Sequence, residues 1–203
     1  MFLSLAAIVS LLVSSESHAQ TPCVPSAAPI PHVNMEKVRT AWLQWNNRLR
    51  RRLQLEPYRL DEALNATAME WSSLAASQGS IDHKRTFESS YYDYPEIEQW
   101  FRDQGVEFSN VEHTTFTENI GWGRYGCTSN DCTRAVIAAT RSTQRFFLAE
   151  RGKAYQPHYA SLMNPHFTKI GVGVALDETN HKYYITIHYA TAITSSPQLC
   201  SAH

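Results

Sequence analysis

Residues on one face of an α-helix recur every three or four positions, and three segments of the chain show this spacing with mostly apolar side chains. The first follows Asn34, a favourable N-cap, and the second has Asp61 in its first turn and ends near Gly79. The third covers residues 135–150, and a shorter helix is predicted over residues 95–104. The faces consist of Val38, Trp42, Trp45, Leu49 and Leu53; Leu60, Leu64, Ala68, Trp71 and Ala75; and Val136, Ala139, Thr143, Phe146 and Phe147.

Two β-prone runs lie late in the chain. Residues 170–176 alternate apolar and small side chains, and residues 183–189 are rich in β-branched and aromatic side chains. The two runs enclose a polar turn, which predicts an antiparallel hairpin. A shorter extended segment surrounds Glu118, between Phe116 and Ile120. Helices precede the strands, with one helix between them, so the predicted fold class is α+β.

Composition indicates one globular domain. The 203 residues include 43% apolar and 18% charged side chains, enough to bury a sizeable core. A net charge of −1 predicts no overall field that would recruit nucleic acid or an anionic membrane. The short basic cluster of Arg48 and residues 50–52 is interpreted as a helix surface with one structural pair, and a phosphate or lipid contact is the alternative.

The N-terminus has the pattern of an export signal. Residues 2–13 are apolar, and Ser17-His18-Ala19 resembles a cleavage site, so residues 1–19 are predicted to be a signal peptide. An uncleaved anchor is the alternative. Residues 20–33 are predicted to be an irregular leader. The expected location is secreted, periplasmic or extracellular, and no transmembrane segment is predicted.

Four cysteines in an exported chain indicate two disulfides. Cys127 and Cys132 enclose a turn-forming stretch and predict a local disulfide, whereas Cys23 and Cys200 could join the two ends of the mature chain. A thiolate metal site is the alternative, although the spacing lacks a second close pair.

Two histidines and two glutamates are the main candidates for chemistry: His83, Glu118, Glu150 and His158. Glu118 lies among apolar residues and must be paired or protonated if buried. Glu150 lies at the C-terminal end of a predicted helix, where the dipole disfavours an anion, and this indicates a partner. The chain contains no H-E-x-x-H, G-x-S-x-G or P-loop motif. The remaining candidate ligands are interpreted as surface or core residues: His113, His166, His181 and His188.

Several short motifs in order resemble the CAP superfamily (SCP/TAPS), secreted domains named for cysteine-rich secretory proteins, antigen 5 and pathogenesis-related 1. They are Asn47 with Arg50, Leu55-x-Pro57, Thr117-Glu118-Asn119-Ile120, Phe147-Leu148-Ala149-Glu150, Pro157-His158-Tyr159 and Asn164-Pro165-x-Phe167 followed by residues 170–173. Thr117, Phe147 and Pro157 depart from the family's usual Gly, Trp and Gly.

The resemblance implies a three-layer α-β-α sandwich with a central, mostly antiparallel sheet, placed at residues 34–192 with a tail at 193–203. It also implies that His83, Glu118, Glu150 and His158 line a cleft able to hold a divalent metal: zinc, or else magnesium or calcium. The expected role is binding a small apolar ligand or an extracellular protein, and no nucleic acid.

Two alternatives remain open. One is a metal-dependent peptide or ester hydrolase with Glu118 or Glu150 as base, although no catalytic residue is assigned. The other is a lipid or sterol carrier, in which aromatic residues line a groove instead of packing in the core: Tyr91, Tyr92, Tyr94, Trp100 and Phe101.

Overall fold

The computed structural model of the protein describes residues 33–86, 88, 90–109 and 115–196. The predicted signal peptide and nearly all of the leader, together with Cys23, His113 and Cys200, lie outside the described residues. The helices are α1 (Met35–Arg52), α2 (Glu62–Gln78), α3 (Tyr94–Asp103), α4 (Thr133–Leu148) and α5 (Pro157–Leu162). The strands are β1 (Arg59–Leu60), β2 (Glu107–Phe108), β3 (Phe116–Arg124), β4 (Lys169–Asp177), β5 (Lys182–Ala190) and β6 (Ile193–Ser195).

The helix boundaries follow local sequence signals. The Asn34 side chain accepts a hydrogen bond from the Lys37 N–H and begins α1, and Asp61 caps α2 in the same way. Gly79 ends α2 with a φ of 71°, a conformation that glycine adopts without steric cost. The four long helices were predicted from the sequence, whereas α5 was not.

The main sheet has the strand order β1-β4-β5-β3, so β3 lies at an edge. β5 pairs antiparallel with both β3 and β4, and this confirms the predicted hairpin. The two-residue strand β1 pairs parallel to β4, and β2 and β6 form a separate small sheet. In the register of β5, His188 lies opposite Glu118 on one side and Gly171 on the other.

Alternating side chains of the sheet meet different helices. Val172, Val174 and Ile187 belong to the core cluster that contains Trp42 of α1 and Phe147 of α4. On the other face, a Cβ at Gly171 or Gly173 would collide with the backbone of α2, so this helix lies directly on β4. The result is the expected α-β-α sandwich, with α1, α4 and α5 on one face and α2 and α3 on the other.

Arg50 is a structural residue. Its side chain is fully buried and donates to the backbone carbonyls of Glu56, Leu162, Asn164 and Phe167. The guanidinium also lies 3.9 Å from the centre of the Tyr58 ring. The structural partner predicted within the basic cluster is therefore a set of carbonyls that joins the end of α1 to the chain around α5.

Cys127 and Cys132 form the predicted local disulfide, with an S–S distance of 2.07 Å. Within the described part of the chain, no helix is long and apolar enough to cross a membrane.

Candidate functional site

Glu118 is the third residue of the edge strand β3, and its side chain is fully buried on the α2 face of the sheet. One carboxylate oxygen, Oε1, accepts a hydrogen bond from His83 Nδ1 at 2.8 Å. The other, Oε2, accepts from Arg85 Nη2 at 2.7 Å and from His188 Nε2 at 2.8 Å. Three side chains therefore satisfy the buried carboxylate, as its apolar sequence context required.

Arg85 supplies the positive charge next to Glu118. Its guanidinium lies 3.5 Å from the Trp71 ring centre and 4.5 Å from that of Trp100, so it is held between two indoles. Nη1 also donates to the His83 carbonyl at 2.9 Å. Arg85 could not be identified from the sequence, because an arginine in a loop two residues after a histidine carries no distinguishing pattern.

The electrostatics keep Glu118 ionised and His188 neutral. Burial alone would raise the pKa of Glu118, but the Arg85 charge and the hydrogen bonds from His188 and His83 outweigh it and hold the pKa well below its usual range. Burial lowers the pKa of His188, despite the opposing hydrogen bond to Glu118. Neutral His188 therefore donates from Nε2 to Glu118 and accepts at Nδ1 from the Thr67 hydroxyl, 2.9 Å away.

Glu150 and His158 form a second pair. Glu150 Oε1 accepts from His158 Nδ1 at 2.6 Å, and Oε2 accepts the backbone N–H groups of His158 at 2.9 Å and Tyr159 at 3.2 Å. Those N–H groups lie in the first turn of α5, where Gln156 provides no side-chain cap. Glu150 therefore caps α5 from the turn after α4, and this is the partner that its unfavourable position indicated.

Hydrogen bonds hold Glu150 in its charged form. Burial opposes ionisation, but the bonds from the His158 side chain and from the Tyr159 and His158 backbone lower the pKa of Glu150 below its ordinary value. Both carboxylates are thus stabilised as acceptors.

The three departures from the family pattern have structural roles here. Phe147 stacks on the His158 ring, with centroids 4.5 Å apart and planes 6° from parallel, so an aromatic wall is retained. Pro157 occupies the first position of α5, which its fixed φ favours. The Thr117 hydroxyl lies 3.4 Å from Ser161 Oγ of α5 and 3.2 Å from the Tyr92 hydroxyl, contacts that glycine would lack.

The two pairs flank the edge strand β3. Because side chains alternate, Glu118 faces α2 while Asn119 faces α5, where its Nδ2 donates to the His158 carbonyl at 3.1 Å. On the Glu118 side, the Tyr92 hydroxyl accepts the Glu118 N–H, and its ring lies 4.9 Å from the His83 ring. The strand and its hydrogen bonds thus fix the positions of both histidines relative to one another.

His83 and His158 share one chemical feature. Each uses Nδ1 to bond a carboxylate, and neither Nε2 makes a hydrogen bond to any described residue. The His83 and His158 side chains are 7% and 25% exposed, whereas His188 is fully buried with both ring nitrogens bonded. Among the described residues, no group of three or more His, Cys, Asp or Glu side chains is arranged to hold a metal ion.

The candidate groove aromatics pack mainly against other rings of the domain. Phe101 is buried, and Tyr94 stacks on Phe116 with ring centres 4.3 Å apart. Trp100 packs edge-on against Trp71 at 5.4 Å. Tyr91 alone of the five is largely exposed, at 61%, and it lies edge-on to His83. The sequence favoured a core role for this set, and the packing agrees for all but Tyr91.

Comparison with known proteins decides the family. The model of the cysteine-rich secretory protein (CAP) family matches residues 43–189. The chain belongs to the CAP family. That match spans every side chain of the two His–Glu pairs, together with Arg85 and His188.

Solved structures share the fold of this CAP domain. An outer surface protein from Borrelia burgdorferi matches with a TM-score of 0.52 and 16% identity, covering 82% of this chain and 97% of its own. An extracellular, SCP-domain-containing protein from Bacillus anthracis matches with a TM-score of 0.50 and 19% identity, covering 78% of this chain and 41% of its own. The CAP domain of enterococcal PrgA also matches, with a TM-score of 0.50 and 16% identity, covering 80% of this chain and 64% of its own. A search of curated proteins found no match.

Proposed function

We propose that this protein is an exported CAP-domain binding protein in which the imidazoles of His83 and His158 bind a divalent metal ion. The expected order of preference is zinc, then magnesium or calcium, because imidazole nitrogen is a favourable zinc ligand. Export is supported by the signal-like N-terminus and by relatives whose names describe an outer surface protein and an extracellular protein.

The observation that carries the proposal is the use of the ring nitrogens. In metal sites, a histidine that binds through one nitrogen commonly donates its other N–H to a carboxylate, which orients the ring and increases its basicity. His83 and His158 both have that arrangement, with Glu118 and Glu150 as the acceptors. The Nε2 atoms of both rings are then available as metal ligands.

The four residues then have two roles. His83 and His158 would hold the ion through Nε2, with Glu118 and Glu150 fixing their orientation and tautomer. That all four bind the metal directly stays a prediction, but in this arrangement both carboxylates already accept several hydrogen bonds. A bound ion would supply positive charge that attracts an oxygen of a ligand. The protein supplies the fixed rings and, through Tyr91, an exposed aromatic contact beside His83.

Calorimetric titration with zinc tests the proposal. Wild-type protein should bind one ion. His83→Ala and His158→Ala should each weaken binding, since one ion uses both rings, and the double variant should abolish it. His166→Ala, at an exposed histidine outside both pairs, is the matched control and should bind as wild type does. Unchanged affinity in the double variant would refute the proposal.

A further inference from the structure

Positive charge is concentrated in one helical layer, although the whole chain is nearly neutral. Residues 35–55 contain six Arg and Lys and one Glu, and residues 132–176 likewise contain six basic side chains and one acidic side chain. Residues 56–131 contain 14 acidic and five basic side chains. The first two segments form α1, α4 and α5, and the third forms α2 and α3. The two faces of the sandwich therefore carry opposite charge.

The two basic helices lie side by side and point in the same direction. Near their starts, the Asn34 N–H donates to Thr133 Oγ1 at 2.8 Å. Near their ends, Gln144 Nε2 donates to Asn46 Oδ1 at 2.9 Å. The C-terminal halves of α1 and α4 are consequently adjacent, and their exposed residues form one continuous surface.

Unpaired cations cover that surface. Arg141 lies 5.2 Å from the ring centre of Trp45 on α1, which places the Arg141–Arg145 side of α4 beside the Trp45–Arg48–Arg52 side of α1. We define the basic face as six exposed residues, none of which forms an ion pair with a described carboxylate: Arg48, Arg52, Arg141, Arg145, Arg151 and Lys153.

Exposed aromatic side chains accompany these cations. Phe146, next to Arg145, is 64% exposed, and Tyr155, two residues after Lys153, is 81% exposed. The Phe146 ring lies edge-on to His158 at 6.2 Å, so the basic face adjoins the Glu150–His158 pair. Large aromatic groups left in water among unpaired cations favour a partner that offers both negative charge and an apolar layer.

We propose that the basic face docks on an anionic lipid membrane. Lys and Arg are attracted to acidic headgroups, and aromatic side chains partition into the headgroup boundary. A soluble polyanion would satisfy the charges but leave Phe146 and Tyr155 exposed. The near-zero net charge does not oppose docking, because screening limits the field to about 10 Å and the acidic helices lie on the far side of the sheet. This role does not depend on metal binding.

Vesicle flotation at low salt tests the proposal. The mature protein, residues 20–203, should bind vesicles of equal parts phosphatidylglycerol and phosphatidylcholine at low salt, dissociate from them at high salt, and not bind vesicles of pure phosphatidylcholine. Arg48→Gln with Arg145→Gln should weaken binding by about 25-fold, at about fivefold for each charge. Phe146→Ser should weaken it further without changing the charge.

The matched control removes two charges elsewhere, with Arg102→Gln and Arg124→Gln, and should bind as wild type does. Circular dichroism confirms that each variant is folded. Equal binding to neutral and acidic vesicles would overturn the proposal. A control variant that loses as much vesicle binding as the Arg48→Gln, Arg145→Gln variant would also overturn it. Polyphosphate that binds as tightly as the acidic vesicles, with Phe146→Ser affecting neither, would overturn it in favour of a general polyanion site.

Discussion

The Arg85 guanidinium and the Glu118 carboxylate meet at 2.7 Å with side chains only 3% and 0% exposed. The imidazoles of His83 and His188 also donate to Glu118. A guanidinium is always charged in proteins, so Arg85 is the permanent cation that balances the Glu118 charge. Through Glu118, Arg85 also maintains the acceptor that holds His83 Nδ1. Arg85 thus acts as a positioning residue for the candidate site.

Arg85→Gln should destabilise the protein by about 3–5 kcal/mol, because it leaves a buried carboxylate without its cation. Urea unfolding measures this change. Arg102→Gln is the control, since Arg102 forms an exposed pair with Glu98 that should contribute about 1 kcal/mol or less. If Arg85→Gln lowers the free energy of unfolding no more than the control does, Glu118 does not need the Arg85 charge.

Acid should destabilise the protein in two overlapping stages. The lowered pKa of His188 keeps it neutral in the folded state, whereas the unfolded chain binds a proton below the ordinary value of 6.5. Glu118 stays ionised when folded but becomes protonated in the unfolded chain below the ordinary value of 4.5. In both cases the unfolded state binds more protons, so stability falls as pH falls.

Urea unfolding across a pH series checks these signs. Stability should decline below pH 6.5 because of His188. It should decline further below pH 4.5 because of Glu118, until the pH falls past the pKa of Glu118 in the folded protein. His188→Gln should remove the upper stage and keep the lower one. Stability that rises on acidification from neutral pH to 4.5 would contradict the protonation states assigned to the cluster.

Glu150→Ala should lower the free energy of unfolding by about 1–2 kcal/mol, the usual effect of losing a helix cap. The reason is that two N–H groups of α5 lose their acceptor. The substitution should also speed amide hydrogen exchange at His158 and Tyr159, which lose their partner. Glu56→Ala, an exposed glutamate paired with Arg59, is the control. Unchanged exchange at both amides would rule out Glu150 as the cap of α5.

Gly171→Ala and Gly173→Ala should each destabilise the domain by about 3 kcal/mol or more, because the added methyl meets the backbone of α2. Thermal unfolding measures both. Gly126→Ala should be tolerated, since no atom lies within 4 Å of the new Cβ. A stable Gly171→Ala protein would show that α2 can move away from β4.

The long elements were predictable because their periodicity spans several turns or a full strand. The helices around Trp42 and Trp71 and the hairpin were found in this way. The six-residue helix α5 and the two-residue strands β1 and β2 carry too few positions to show a period, and they form because tertiary contacts select them.

Four residues of the candidate site could be named from the sequence, but their pairing and the contributions of Arg85 and His188 could not. Resemblance identified His83, Glu118, Glu150 and His158, and the dipole at the end of α4 indicated that Glu150 needs a partner. Which residues far along the chain reach Glu118 depends on which strand lies beside β3. His188 becomes visible as a partner only once the β3–β5 register is known, since it lies opposite Glu118.

The most direct test of the proposed site is proton–nitrogen correlation NMR of the histidine rings, recorded before and after zinc is added. His83 and His158 should be protonated at Nδ1 and His188 at Nε2, which makes His188 an internal reference. Zinc should shift Nε2 of both His83 and His158 while their Nδ1 protons persist, and His188 should not change. Protonation of His83 and His158 at Nε2, or zinc shifts absent from both, would contradict the proposed role of the two glutamates.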